Sequence, residues 1–182
     1  MKSYRIVGRG GQGVITLGKV LTQAIVYSGE NGIMSEIHGL SQRGGGVVTD
    51  VKAGDSRSPL IMTGTADYII SMDRNEAISN MAVLRKGGIC ITGSGAESAF
   101  SENTYEGFRC MEFNPSKIEP GLDPRGHNML LLGIFSAMDP FPSPEFIEKS
   151  IAENFSEKVA NANIEAFRKG RGYFTDMEIR VK

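Results

Sequence analysis

Two glycine-rich segments concentrate the residues of this chain that could do chemistry. In the first, Gly8-Arg9-Gly10-Gly11-Gln12-Gly13, the residues Gly8, Gly10 and Gly13 spell G-x-G-x-x-G between a strand-like run and a helical one, the spacing of a dinucleotide phosphate loop. Gly8 would permit the tight turn, Gly10 a close ligand approach and Gly13 close helix–strand packing, while free N–H groups at the helix start attract an anion. Glu36 follows Gly13 by 23 residues, near where a ribose-binding carboxylate is expected. The same glycines serve any tight strand-to-helix crossover, so a nucleotide site and a purely structural turn both remain open. Gly11 and Gln12 add no chemistry specific to a nucleotide.

The second segment is Glu36-Ile37-His38-Gly39-Leu40-Ser41-Gln42-Arg43-Gly44-Gly45-Gly46. Arg43 with backbone donors could clamp a phosphate or carboxylate. His38 between Glu36 and Ser41 could be drawn as a nucleophile relay, but sequence neighbourhood says nothing about reach. The plainer reading is that His38 and Arg43 hydrogen-bond loop carbonyls and hold an interface. His127, between Arg125-Gly126 and Asn128, reads as a helix-entry cap rather than a metal ligand.

Composition narrows the field. Among 182 residues there are 23 glycines, well above average usage, and 11 of them lie between Gly8 and Gly46. The two cysteines, Cys90 and Cys110, stand far apart in sequence and outside any Cys-x-x-Cys spacing, so they cannot by themselves hold an iron–sulfur cluster or a tetrahedral zinc. A net charge of −1 without a basic run argues against nucleic acid as a partner. The longest apolar run, 129–138, is about half a membrane span. No secretory signal is evident, and a cytoplasmic protein with reduced thiols is the expectation.

The elements that must position these loops follow from periodicity. Residues 4–7 read as a strand and 14–27 as an amphipathic helix. Strands are expected at 33–37, 47–51, 68–71 and 89–92, with Asp73 capping a helix that runs to about Leu84 and ends at Lys86-Gly87-Gly88. Only 107–113 suggests a strand in the irregular stretch 93–126. An apolar, buried helix is expected over 128–138, one opening at Ser143-Pro144, and a last one from Ser156 that Gly170 stops. Strands alternating with helices imply one α/β domain over 1–182, a Rossmann-like three-layer fold with a mostly parallel sheet. Both glycine loops then leave C-terminal strand ends and open on one edge, where ligands of such sheets bind.

Taken together, Gly8-x-Gly10-Gly11-Gln12-Gly13-Val14 and Glu36-Ile37-His38-Gly39-Leu40-Ser41-Gln42-Arg43-Gly44-Gly45 resemble the gamma domain of 2-oxoacid:ferredoxin oxidoreductases. The second loop is most similar in spelling to the beta subunits of the indolepyruvate type. The resemblance extends to Arg125-Gly126-His127-Asn128 and to Asn163-Ile164-Glu165-Ala166-Phe167-x-x-Gly170, and so covers nearly the whole chain. It implies oxidative decarboxylation of an aryl 2-oxo acid to an acyl-coenzyme A, with electrons passed to ferredoxin, using thiamine diphosphate, magnesium and iron–sulfur clusters. This chain lacks the Gly-Asp-Gly motif with paired asparagines that binds magnesium diphosphate, and it lacks cluster cysteines. The resemblance therefore implies a small, non-catalytic subunit beside a large catalytic one that carries those cofactors, with coenzyme A as co-substrate. Two other readings stay open: a free-standing NAD(P)-binding Rossmann protein, and a subunit needed only for assembly.

Overall fold

The computed structural model describes residues 1–38, 45–93, 97–105 and 107–181. The apolar runs pair into one seven-stranded sheet: β1 (Lys2–Arg9), β2 (Gly32–His38), β3 (Gly46–Ala53), β4 (Ala66–Ser71), β5 (Leu84–Thr92), β6 (Phe100–Tyr105) and β7 (Phe108–Phe113), in the spatial order β2-β3-β1-β4-β5-β7-β6. The middle of the sheet is parallel: β1 pairs with β4, β4 with β5 and β5 with β7. Antiparallel strands extend it on both sides, β3 and β2 beyond β1, and β6 beyond β7.

Helices cover the two faces unequally. On one face lie α1 (Val14–Tyr27), α4 (His127–Met138), α5 (Pro144–Asn154) and α6 (Glu157–Val181), which bury Tyr4, Ile6, Ile70, Ile91 and Phe113 of the strands against Leu17, Leu21, Leu131, Phe135 and Phe167. On the other, the short α2 (Arg74–Ser79) and a following 3-10 turn, Met81–Val83, close a smaller core around Val7, Ile69, Cys90 and Cys110. The strands alternate between the two cores because successive side chains of a strand point to opposite faces. A four-residue α3 (Pro115–Ile118) and a second 3-10 turn, Pro124–Gly126, complete the elements. Among the described residues no helix is long and apolar enough to cross a membrane.

Three local expectations change. The helix capped by Asp73, which accepts from the N–H groups of Asn75 and Glu76, ends at Ser79 rather than near Leu84. Lys86-Gly87-Gly88 lie inside β5, beside a shift in the β4–β5 register. Gly170 does not stop the last helix, which runs on to Val181: a Cβ there would stand 2.0 Å from the Leu130 carbonyl oxygen, and one at Gly133 2.0 Å from that of Phe167. The two glycines are where α4 and α6 bring their backbones together. In the stretch expected to be irregular, β6 escapes periodicity because Phe100-Ser-Glu-Asn-Thr-Tyr105 has little apolar alternation; it is an edge strand held by its ladder to β7.

Candidate functional site

The parallel strands and β2 all end at one edge of the sheet, and there the glycine segments meet. Arg9 is the register partner of Gly46, and His38 of Val47; the Gly10 N–H donates to the Gly45 carbonyl at 3.3 Å. The expectation that both loops open on one edge thus holds for the backbone on either side of residues 39–44. Ser41, Gln42, Arg43 and Gly44 themselves lie outside the described residues, as does the side chain of His38.

The first loop is built as a tied turn that needs glycine. A Cβ at Gly8 would come within 2.9 Å of both Gln12 Oε1 and Val14 Cγ2, so bare backbone is required. Gly11 (φ +91°) and Gly13 (φ +77°) are left-handed, the conformation in which glycine avoids the Cβ penalty. Gln12, silent in the sequence, is the tie: its Oε1 accepts from the Arg9 N–H at 2.6 Å and its Nε2 donates to the Met72 carbonyl at 3.2 Å, fastening the loop to the end of β4. Arg9 in turn pairs with Asp73, Nε to Oδ2 at 3.1 Å.

The role expected of Gly13 is not the one found. Its missing side chain makes room for Asn128 at the head of α4, whose Nδ2 would be 2.3 Å from a Cβ and donates to the Gly13 carbonyl at 3.3 Å. Close helix–strand packing falls instead to Gly18, one turn further along α1, where a Cβ would meet Thr49 Cγ2 of β3 at 2.5 Å. Gly13 is also the N-cap of α1, with no side chain capping the helix.

Between the β1–α1 loop and the head of α4 lies a cavity of about 210 Å³ lined by Gly11, Gln12, Met72, Gly93, Arg125 and His127 among others. It sits where β1 hands over to α1 on one face and β4 to α2 on the other, the switch point at which open α/β sheets place ligands. Arg125 stands at its rim, its guanidinium bidentate to Asp123 at 2.6 and 3.0 Å, which holds that carboxyl down at about 2. His127 lines the wall as the first residue of α4; the N-cap is Gly126, so the histidine does not cap the helix. Its Nε2 is buried without a hydrogen-bond partner, while the ring is bonded to the Leu122 backbone.

Burial lowers the His127 pKa from its ordinary value, against the opposing pull of the Leu122 backbone and Asp123. The unfolded chain takes up this proton near pH 6.5 and the folded chain only at lower pH. The stability that the residue contributes is therefore present above about pH 6.5 and lost as pH falls through the lower folded value. Urea midpoints followed from pH 8 to 5 should fall less steeply in His127→Gln than in the wild type; parallel curves would refute a depressed His127.

Glu36 does not reach the place a ribose carboxylate would need. An antiparallel strand, β3, separates β2 from β1, about 10 Å across two strand spacings, and Glu36 lies 3.9 Å from Lys19 midway along α1. Residues not singled out in the sequence form a second cluster at the same edge. There Glu112, 1% exposed, accepts from the Tyr105 hydroxyl and lies 3.3 Å from Arg74 Nε, beside a cavity of about 380 Å³. No spacing signal could have found it, because its members come from α2, β6 and β7. Among the described residues no group of three His, Cys, Asp or Glu side chains is placed to hold a metal ion.

Residues 3–173 match the family model for pyruvate ferredoxin/flavodoxin oxidoreductase. The chain is 31% identical over 193 residues to the indolepyruvate oxidoreductase subunit IorB of Thermococcus kodakarensis, covering 93% of this chain and 95% of that one. It is 28% identical to the IorB subunit of Archaeoglobus fulgidus, covering 91% of each. In fold it is similar to the crystal structure of a keto/oxoacid ferredoxin oxidoreductase gamma subunit from Geobacter sulfurreducens, with a TM-score of 0.77 over 97% of this chain and 99% of that one at 23% identity.

Proposed function

Since the chain belongs to the pyruvate ferredoxin/flavodoxin oxidoreductase family, we propose that it is the small subunit of a thiamine diphosphate-dependent 2-oxoacid:ferredoxin oxidoreductase of the indolepyruvate type. The complex would decarboxylate an aryl 2-oxo acid oxidatively to an acyl-coenzyme A and pass the electrons to ferredoxin, in the cytoplasm. A larger partner subunit carries thiamine diphosphate, magnesium and the iron–sulfur clusters. The residues of this chain do not fit a cluster: its two thiols are both fully buried between strands, and a cluster takes four ligands.

One observation carries the role proposed for this chain, the joining of its two glycine segments by Gly10 and Gly45 beside the switch-point cavity. Gly10, Gly11, Gln12 and Arg125 are exposed there, next to an α1 N-terminus that no side chain caps. Such an edge offers backbone N–H groups and a guanidinium to an anion, and in the complex it completes the approach of coenzyme A to the catalytic subunit. Arg43, Ser41, Gln42, His38 and Gly44 belong to the same proposal through the second segment. Gly8, Gly13 and Glu36 shape the edge rather than meet the ligand.

The test is anaerobic co-expression with the large subunit and indolepyruvate-dependent viologen reduction. Arg43→Ala and Arg125→Ala should each leave co-purification intact and raise the KM for coenzyme A about tenfold, the loss of one charge-assisted hydrogen bond. Loss of co-purification would make the edge a docking surface only, the reading that the internal bonds of Gln12 favour. A large subunit fully active alone would remove the functional role altogether. The NAD(P)-binding alternative loses its ribose carboxylate to the position of Glu36, and micromolar binding of a nicotinamide dinucleotide to this chain would restore it.

A further inference from the structure

Cys90 and Cys110, separated by 20 residues in sequence, are direct register partners on β5 and β7. Their Sγ atoms lie 2.8 Å apart, closer than two unbonded sulfur atoms rest, and both residues are 0% exposed. Adjacent strands are about 4.8 Å apart, inside the Cα separations that a disulfide spans. They share the smaller core with Ile69, Met81 and Leu84, with no third metal-ligating group placed to join them among the described residues.

We infer that Cys90 and Cys110 are a dithiol that a peroxide converts to an intrachain disulfide, tying β5 to β7. One thiol, deprotonated during a local opening of the strands, attacks a peroxide oxygen; the O–O bond breaks, water leaves and a sulfenic acid forms on that sulfur. The second thiol attacks the same sulfur, the S–S bond forms and a second water departs. Two thiols and one hydrogen peroxide thus give one disulfide and two waters, and the peroxide takes both electrons. The hydrogen bond with the neighbouring Cys110 thiol, and then burial, push the Cys90 thiol up, so the first step waits on opening and is slower than at an exposed thiol. Once made, the bond joins the edge hairpin of β6 and β7 covalently to the parallel core, next to Thr92 and Glu112, which follow the cysteines on the same face.

Peptide mapping decides the matter in the full chain, purified reduced and with its partner subunit if it co-purifies. Trypsin cuts after Lys86, Arg109 and Lys117, so the two thiols leave on separate peptides, 87–109 and 110–117. After native protein is treated with hydrogen peroxide, acid-quenched and alkylated, the two peptides should appear linked to each other, lighter by two hydrogens, and separate again on reduction. Expected alongside is a rise in the urea midpoint of the oxidised protein over the reduced one, reversed by dithiothreitol. Both peptides still alkylated after an exposure that fully oxidises glutathione would overturn the inference. So would cross-links between chains, or sulfinic acid at either cysteine.

Discussion

Gly170→Ala should destabilise the protein by about 3 kcal/mol, although alanine in place of glycine inside a helix ordinarily stabilises by roughly 0.5–1 kcal/mol. The sign reverses because the added methyl would lie 2.0 Å from the Leu130 carbonyl oxygen and 3.1 Å from the Ile134 nitrogen. Those atoms are backbone of α4, which can give way only by moving the helix. Gly133→Ala meets the Phe167 carbonyl at the same distance from the other side and should cost a similar amount. Because both relieve themselves by the same separation of α4 from α6, the double substitution should cost less than the sum. Gly172, two residues further along α6, has open space where its methyl would go, with nothing within 4 Å. Gly172→Ala is the control and should follow propensity, gaining up to about 1 kcal/mol. Urea unfolding of the three variants tests this; Gly170→Ala at wild-type stability would mean that the helices do not cross this closely. The consequence reaches the site, since α4 also carries His127 and Asn128 at its head.

Asp50→Ala should be at least as damaging, about 3–5 kcal/mol. The Asp50 carboxylate is fully buried; it receives Arg5 Nε and Nη2 at 2.8 Å each and the Ile61 N–H at 2.9 Å. Removing it strands a guanidinium whose side chain is 11% exposed with the Ile61 carbonyl at 3.2 Å as its remaining partner. A buried ion pair adds little over an apolar replacement, but half of one is costly. Hence Arg5→Met combined with Asp50→Ala should recover much of the loss, leaving the unpaired Ile61 N–H at about 1–3 kcal/mol. A double-mutant cycle on thermal or urea midpoints reads the coupling, and additive single effects would contradict it. Arg5 and Asp50 are register partners on β1 and β3, the pair of strands whose far ends bring Gly10 to Gly45. The loss should therefore also loosen the joint between the glycine segments.

Much of this is legible before folding. The Asp73 cap, the Pro144 helix start and the apolar strands at 4–7, 68–71 and 89–92 depend on local stereochemistry and short periods, which sequence carries directly. So does the shared edge of the two glycine segments, because a strand–turn–helix unit has one direction. What misleads are residues whose meaning depends on a distant neighbour. Gly170 reads as a stop unless α4 is known to press against it, Gly13 as a helix–strand spacer unless Asn128 is known to fill the gap, and Gln12 as inert unless the Met72 carbonyl is within reach.

The sequence by itself determined the class of fold and the family resemblance, since these follow from residue types and short spacings. Tertiary structure alone decided which glycines meet which backbones, that β3 separates Glu36 from the phosphate-like loop, and that Arg125 and His127 border the same cavity as Gly11 and Gln12. It also decided that two thiols 20 residues apart lie side by side. The physical reason is common to all of these: strand order and helix crossing are set by burying the whole apolar surface at once, and no local stretch contains that information.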